Sequence, residues 1–576
     1  MDSVSRQSSV ASTASVAEQP ADAESFITKH FKKRECGRIV PQTEQPDRCC
    51  CGRPVNRDHS TTLSRPESRN GNNGWKVESD TWSIATDAFG EMEFAGRTAR
   101  KSKAKYVRLS SDSKEQDVLK LLIDYWIPKK TPKPRLVISV TGGSSRFHLN
   151  SRVRNIITNG LVKMATTSNA WVMTGGFHRG VMKMVGQALK DQTDNQGNRV
   201  PVIGFATWGF TRNRHHLVNG SVNSASTTRC YKPVDHFAMD ATSLPLDSNH
   251  THFILVDDGT VEQPYRCNDL LKKFRDMLGK ETDGDCGVTV PLVTVLVGGG
   301  VGSMEIVQST LEAKLPVVVV KGSGRLADLL SDVYENLKSF EKNKIKSKIE
   351  SILKSEDNKS SSLWKSVSTK DWSTIQKWAN NVVVPFMQKV FEDESLLTIY
   401  DASETTYSTN LPDLDFVILK SILTRAKTSN LDEAVRLAVE WNRADILREE
   451  ILSQAIDLKD LMHWDSLMDA ALVADSREFV RLFIEHAVVD FEEYMNDMKL
   501  VYLYNRPGEV EDPVTLDKGQ INKICSKLFR TCFGQPNLIH MGTTDKSMEI
   551  GRSLLDVRSG TRSGRSGSWS FSELDG

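Results

Sequence analysis

Long apolar runs are missing from this 576-residue chain. A helix that crosses a bilayer needs about 20 consecutive, mainly apolar residues, so no stretch here is expected to span a membrane. Excess charge is missing too. The 75 Lys and Arg nearly balance the 74 Asp and Glu, for a formal net charge of +1. No overall field therefore argues for a nucleic acid or an anionic membrane as partner. An apolar leader is absent: MDSVSRQSSVASTASVAEQ is polar and serine-rich, unlike a secretory signal. The nine cysteines are scattered and contain no CxxC pair, which points to free thiols in a reducing, cytosolic compartment. No Gly-Lys-Ser/Thr P-loop and no GxSxG elbow occurs, which removes two common routes to phosphate binding and serine hydrolysis.

What is present is an alternation. The short β-branched runs RLVISVTGG (135–143), AWVMTGG (170–176), VPVIGFATWG (200–209), THFILVDDGT (251–260), VTVLVGGG (293–300) and LPVVVVKGSG (315–324) are separated by helical stretches. Near-continuous apolar strands are those covered on both faces. Val153 to Met164 and Val181 to Leu189 show the three-to-four spacing of crossover helices. The expected fold class is α/β, a doubly wound parallel sheet. Beyond 340 no strand is expected. EKNKIKSKIESILK reads as an amphipathic helix, and EAVRLAVEWNRADILREEIL (433–452) aligns with SLMDAALVADSREFVRLFIE (466–485) at an offset of 33. Paired helices at that period are the pattern of an ankyrin-like α-solenoid. The expected layout is a Ser-rich tail over 1–27, a cysteine-containing segment over 28–74, an α/β domain over 75–335, an α-helical repeat domain over 336–505 and a C-terminal segment over 506–576.

The glycines mark the candidate site. Thr141, Gly142, Gly143 and Ser144 follow one strand, Thr174, Gly175 and Gly176 another, and Gly299, Gly300, Gly302 and Ser303 a third. All three turns fall on the carboxyl edge of the sheet, where open α/β folds bind ligands. A missing Cβ lets backbone N–H groups approach an anion, and small hydroxyls add donors. Arg266 and Arg325 lie just past strand ends, where a guanidinium fork meets a diphosphate. Asp257 reads equally as a ribose-binding carboxylate and as a turn residue, whereas Asp258 before Gly259 reads as a turn cap. Glu305 fits a helix start better than a catalyst. His250 and His252, flanking Thr251, read as packing or hydrogen-bonding residues.

Cys36, Cys49, Cys50, Cys51 and His59 are the right ligand types for structural zinc. Their spacing argues against it, because three adjacent side chains do not readily reach one tetrahedral ion. Free thiols are the expectation, and no metal site is assigned.

VISVTGGSSRF, AWVMTGGFHRGVMK, GFATWG, LDSNHTHFILVDDGT, PVVVVKGSGRLADLL and RCCCGRP together resemble the N-terminal cytosolic region of melastatin-type TRP (TRPM) cation channels, over about residues 28–505. VTGG, ATWG, LDSNHTHF and GSGR look closest to the ADP-ribose-gated, calcium-permeable member, while RCCCGRP looks more like the longer-tailed members. The resemblance implies a Rossmann-like fold of the SLOG, lysine-decarboxylase-like type and ankyrin-like helices. It also implies a homotetrameric assembly on the cytosolic face of a plasma-membrane channel. As ligand it implies ADP-ribose or a related nucleotide, with no required cofactor. It carries ligand contacts onto Thr141, Met182 and Arg325, and less directly onto Arg266; it also offers Tyr265 as a replacement for the family's purine-contacting tyrosine, without the local alignment settling it.

Two departures shape the functional expectation. Membrane helices and any C-terminal Nudix-like domain are not in this sequence, so the chain reads as a fragment or short form that senses and assembles but has no pore. Related nucleotide-processing enzymes carry PGGxGTxxE, but here Gly298 stands for the proline and Ile306 for the glutamate. Glu305 is one residue early, a turn of about 100° around a helix. The expectation is a receptor and not an enzyme; the rival is a nucleotide N-glycosidic hydrolase using Glu305 or Asp257, or a scaffold with a vestigial pocket.

Overall fold

The computed structural model describes residues 23–56, 59, 75–95, 103–127, 134–144, 148–193, 197–219, 228–233, 243–279, 290–337, 386, 390, 393, 396–403, 413–429, 431–449, 464–473, 476–485 and 494. The expected helix over 341–354, residues 1–22 of the Ser-rich tail and the segment 506–576 lie outside them; the last five residues of that tail, expected to be disordered, instead begin the helix Ala23–His30 and bury Phe26 and Ile27.

The chain opens with α1 (Ala23–His30), β1 (Lys32–Cys36), α2 (Val77–Asp80), β2 (Thr81–Ala85), β3 (Phe89–Phe94) and β4 (Ala104–Ser110). Next comes α3 (Glu115–Lys120), which continues into a π-helical turn over Leu121–Trp126. The alternating part follows: β5 (Leu136–Gly142), α4 (Ser151–Thr167), β6 (Ala170–Thr174), α5 (Gly180–Leu189), β7 (Val202–Thr207), β8 (Thr228–Tyr231) and β9 (His252–Asp257). It ends with α6 (Asn268–Leu278), β10 (Leu292–Val297), α7 (Val301–Glu312), β11 (Val317–Lys321), α8 (Arg325–Leu337), β12 (Leu397–Asp401) and α9 (Leu414–Ser429).

Ten strands form one sheet in the order β12-β11-β10-β5-β6-β7-β9-β4-β3-β8. Every pairing in it is parallel except β3 with β4. The six strands expected from the sequence are its contiguous centre; β6, β7, β9 and β10 are buried at every position, and β5 and β11 at every position but the last. A core built on Val107, Trp171, Phe205, Ile254, Leu270 and Phe274 covers one part of the sheet, and another built on Leu296, Met304, Val319 and Leu330 covers its β10–β12 side.

Two expected boundaries move. Strands do not stop at 335: β12 pairs with β11 through Val317–Leu397 to Lys321–Asp401, and the first compact unit runs to Ser429. Nor is 28–74 separate from the α/β domain. β1 pairs with β2, Arg48 forms an ion pair with Glu262, and Val261 N–H donates to Cys51 O at 2.8 Å.

The second unit, Asn430–Gly576, contains α10 (Leu431–Glu440), α11 (Ala444–Leu447), α12 (Trp464–Val473) and α13 (Arg477–Glu485). The offset of 33 reappears in its backbone hydrogen bonds. Arg443 N donates to Ala438 O at 3.0 Å, and Ser476 N to Ala471 O at 2.9 Å. Leu447 N donates to Arg443 O and Val480 N to Ser476 O. Both alanines are fully buried, so each is the small residue at the base of a helix hairpin.

Candidate functional site

The chain leaves β5 through α4 to β6 on one side, and β10 later returns to the other side. β5 and β10 therefore flank the topological switch point, whose carboxyl-end crevice is where such sheets take ligands. Two strands meet there without side chains between them. A Cβ on Gly142 would lie 2.0 Å from Val297 O, and Gly143 N donates to that same carbonyl at 3.0 Å. Ser303 Oγ donates to Gly142 O at 3.1 Å, which ties the first turn of α7 to the end of β5.

The β10 turn passes through Gly298 and Gly299, with φ of 64° and 103°, and reaches α7 at its N-cap, Gly300. The neighbouring β11 turn holds it in place. Ser323 Oγ accepts from Gly298 N at 2.7 Å, and Ala327 N donates to Gly298 O at 3.0 Å. Asp328 accepts from Gly322 N and Gly324 N at 2.8 and 3.1 Å, so the β11 turn is shaped from below by its own helix. The leading N–H groups of α7 face outward from the helix end, where a 12-residue helix also presents its positive dipole.

Two side chains bracket that helix end. A Cβ on Gly300 would lie 3.3 Å from Arg325 Nη2, and one on Gly302 would lie 2.7 Å from the Tyr265 ring. Tyr265 is half exposed. Both residues take the left-handed conformation, Tyr265 at φ 70° and Arg325 at φ 57°. Each such residue costs about 1–3 kcal/mol, and strain of this kind collects at ligand clamps.

The third turn adjoins the first. Val181 N donates to Gly143 O at 2.9 Å, and Gly180 leaves no room for a Cβ beside that carbonyl. Ser144 is half-buried beside it. Met182, in the first turn of α5, lays its sulfur over Gly175, 2.7 Å from where a Cβ would stand. Gly176 takes φ 71° and backs onto Gly204. Thr174 is buried, and its hydroxyl accepts from Gly176 N at 3.0 Å and lies 2.7 Å from His250 Nε2. His250 Nδ1 lies 3.0 Å from Asp247, which also binds His178 at 2.6 Å. Burial alone would raise the Asp247 carboxyl, but the bonds from His178 and His250 outweigh it and hold the group down at about 2. The hydroxyl of Thr174 is thus spent on shaping its own turn.

Close approaches and hydrogen bonds bring Gly142, Gly143 and Ser144 against Val297, Ser303 and Gly180, and set Arg325 beside Gly300 and Tyr265 beside Gly302, while Met182 sits on Gly175. Asp257, expected as a ribose ligand, is elsewhere. It ends β9, three strands from β5, and is only 1% exposed. Arg108 Nε donates to it at 2.7 Å, with Gly259 N and Arg34 N completing its shell. Its chemistry is the neutralisation of a buried arginine. Arg266 likewise is bonded to Gln263 at 2.9 Å and to Asp258 at 3.4 Å, so engaging an anion means leaving both. Asp258 caps its turn through Thr260, as the sequence implies. Glu305 is exposed and accepts from Asn268 Nδ2 at 3.1 Å, which suits a helix-surface residue. Tyr265, which the family resemblance offers as a purine-contacting residue without settling it, sits on Gly302 with a positive φ, and neither feature has a local sequence signal.

A family model described as SLOG in TRPM matches residues 104–369, starting at the first residue of β4. The mouse transient receptor potential cation channel subfamily M member 2 is 30% identical over 538 residues, covering 90% of this chain and 33% of the relative. The Nematostella vectensis subfamily M member-like 2 is 31% identical over 86% of this chain. Human subfamily M member 6 is 32% identical over 85% of this chain and 24% of its own length. The chain belongs to the TRPM family. It corresponds to the N-terminal, melastatin-homology region and spans about a third or less of these relatives' lengths. The relatives carry the names of cation channels and not of enzymes. No helix among the described residues is long and apolar enough to cross a membrane.

Proposed function

We propose that this TRPM region is the ligand-sensing and subunit-assembly part of a calcium-permeable channel, and that its ligand is a nucleoside diphosphate sugar of the ADP-ribose type. The observation that carries the reading is the convergence of three glycine turns at the switch point, with Tyr265 and Arg325 held in strained conformations on either side of the α7 N-terminus. In this reading the leading N–H groups of α7 and the Gly142–Ser144 turn cradle the diphosphate. Arg325 neutralises it, the Tyr265 ring supplies a stacking face, and Met182 packs against the base.

The helix hairpins of the second unit form an ankyrin-like α-solenoid that contacts other subunits in a homotetramer, on the cytosolic side of the plasma membrane. Ligand binding biases the gate by its differential affinity for two arrangements of these parts. Calorimetry of the full chain with ADP-ribose tests the reading. A saturable heat that Arg325→Ala weakens by about 10–100-fold is expected, since a hydrogen bond to a charged group is worth about 1.5–3 kcal/mol. No binding, or binding indifferent to Arg325→Ala, overturns it.

A further inference from the structure

Outside the SLOG match, which begins at residue 104, the N-terminal segment carries a cluster that the crevice does not use. Cys36 closes β1, and Cys49 and Cys51 sit in a tight turn. The ligand atoms of these three thiols and His59 all lie within 4.8 Å of one another. Cys36 Sγ is 3.9 Å from Cys49 Sγ, and Cys51 Sγ is 3.5 Å from His59 Nε2. All three cysteines are buried and His59 is half-buried. We propose that Cys36, Cys49, Cys51 and His59 form a structural zinc site.

The geometry suits a metal better than a disulfide. Four ligands around zinc at about 2.3 Å for sulfur place neighbouring sulfurs about 3.8 Å apart, close to the separation seen here. A disulfide requires about 2.05 Å. Three thiolates and one imidazole are the soft, nitrogen-and-sulfur set that selects zinc over calcium or magnesium, and four protein ligands leave no open position for catalysis.

The turn removes the objection raised by the spacing. Gly52 N donates to Cys49 O, so Cys50 and Cys51 are the central residues of a chain reversal and not of a strand. The reversal brings the Cys51 sulfur back to the side of Cys49 and Cys36, and Cys50 turns its sulfur toward Pro41 O at 3.9 Å. The turn closes through Cys49 N to Arg53 O and Gly52 N to Cys49 O, and Gly52 takes φ 93° with Val261 O where a Cβ would be.

The surroundings fit a bound cation with excess negative ligands. Val40 N donates to Cys49 Sγ at 3.3 Å, and Arg53 Nη1 lies 3.9 Å from Cys51 Sγ while donating to Gly259 O at 2.8 Å. Three thiolates and a dication leave one net negative charge, which Arg53 offsets. Binding releases the three thiol protons to solvent and breaks the 3.2 Å contact of Cys36 with Arg38 O. The site would tie Cys36 and His59 to the Cys49–Cys51 turn, which Arg53 and Val261 N–H join to the loop that follows β9.

Elemental analysis of the full chain, purified under reducing conditions without added metal, tests this. About one zinc per chain is expected, retained in Cys50→Ser and lost in Cys49→Ser and His59→Ala. Where a variant fails to fold, cobalt substitution in the native protein decides. A tetrahedral spectrum with the thiolate charge-transfer intensity of three sulfurs supports the site, and an octahedral or sulfur-free spectrum overturns it. Alkylation adds an independent reading: Cys50 reacts at once, while Cys36, Cys49 and Cys51 react only after chelation. Background zinc, zinc retained in Cys49→Ser, or a Cys36–Cys49 disulfide in the native mass would each overturn the proposal.

Discussion

Two places on the carboxyl edge of one sheet use the same residue types to opposite ends. At the end of β9, Asp257 and Arg108 neutralise each other, Gly259 N donates to Asp257, and Asp258 caps its own turn through Thr260. The Asp257–Arg108 pair is nearly solvent-free, with both side chains under a tenth exposed, and the guanidinium also stacks on Trp208 at 4.5 Å. At the ends of β5 and β10 the lining is glycine backbone, a helix N-terminus, and two residues in left-handed strain. The first place has balanced its charges internally and contributes rigidity. The second has kept backbone donors at the surface and accepted strain, which is what an anion site requires.

The largest effect that separates the two should come from Arg108→Ala. Removing one partner of a buried pair leaves Asp257 charged and desolvated, at a cost of about 3–5 kcal/mol; urea unfolding of the full chain measures it, and a loss below about 1 kcal/mol would break the comparison. Gly142→Ala is expected to cost about 1–3 kcal/mol, because its Cβ meets the Val297 carbonyl and β5 and β10 must part. It should weaken ADP-ribose as well, since it moves the crevice wall.

Arg325→Gly should behave in the reverse sense. It relieves a left-handed residue and so leaves stability unchanged or up to about 1 kcal/mol higher, yet weakens ligand by about tenfold or more. A stability loss without an affinity loss would assign Arg325 to structure.

The smallest effect is on pH. Burial, reinforced by Lys105 and Arg199, pushes His252 down to about 3. A histidine depressed in the folded state contributes stability that is fully present above its unfolded value of about 6.5 and is lost as pH falls toward 3. The Asp247 carboxyl, held at about 2, adds a loss only below about 4. Unfolding free energy should therefore decline below about pH 6.5 by at most about 1.4 kcal/mol per pH unit for each proton. His252→Phe should flatten the upper part of that decline, as denaturant titrations at a series of pH values will read.

The six central strands were legible because strands covered on both faces are apolar without interruption, as in VTVLV and VVVV. β4 was not, although it lies inside the sheet, because AKYVRLS carries Arg108. Its partner Asp257 is 149 residues away, and a charge neutralised over that distance reads locally as surface. β12 was missed for a related reason: LTIYD is a short edge strand that follows a long helical-looking stretch. The glycine turns announced the crevice, since both a tight turn and a close approach of two strands demand glycine. Tyr265 gave no such signal, because its role comes from a backbone angle. The gathering of Cys36, Cys49, Cys51 and His59 was hidden by their spacing, because a chain reversal and not the sequence interval decides which sulfurs meet and sends Cys50 to Pro41 O.

Hydrogen exchange of the full chain with and without saturating ADP-ribose tests the central contrast most directly. The account predicts slowed exchange at Gly142–Ser144 and across Gly298–Ser303, with Asp257–Thr260 unchanged. Protection at Asp257–Thr260 with none at the β10 turn would contradict it.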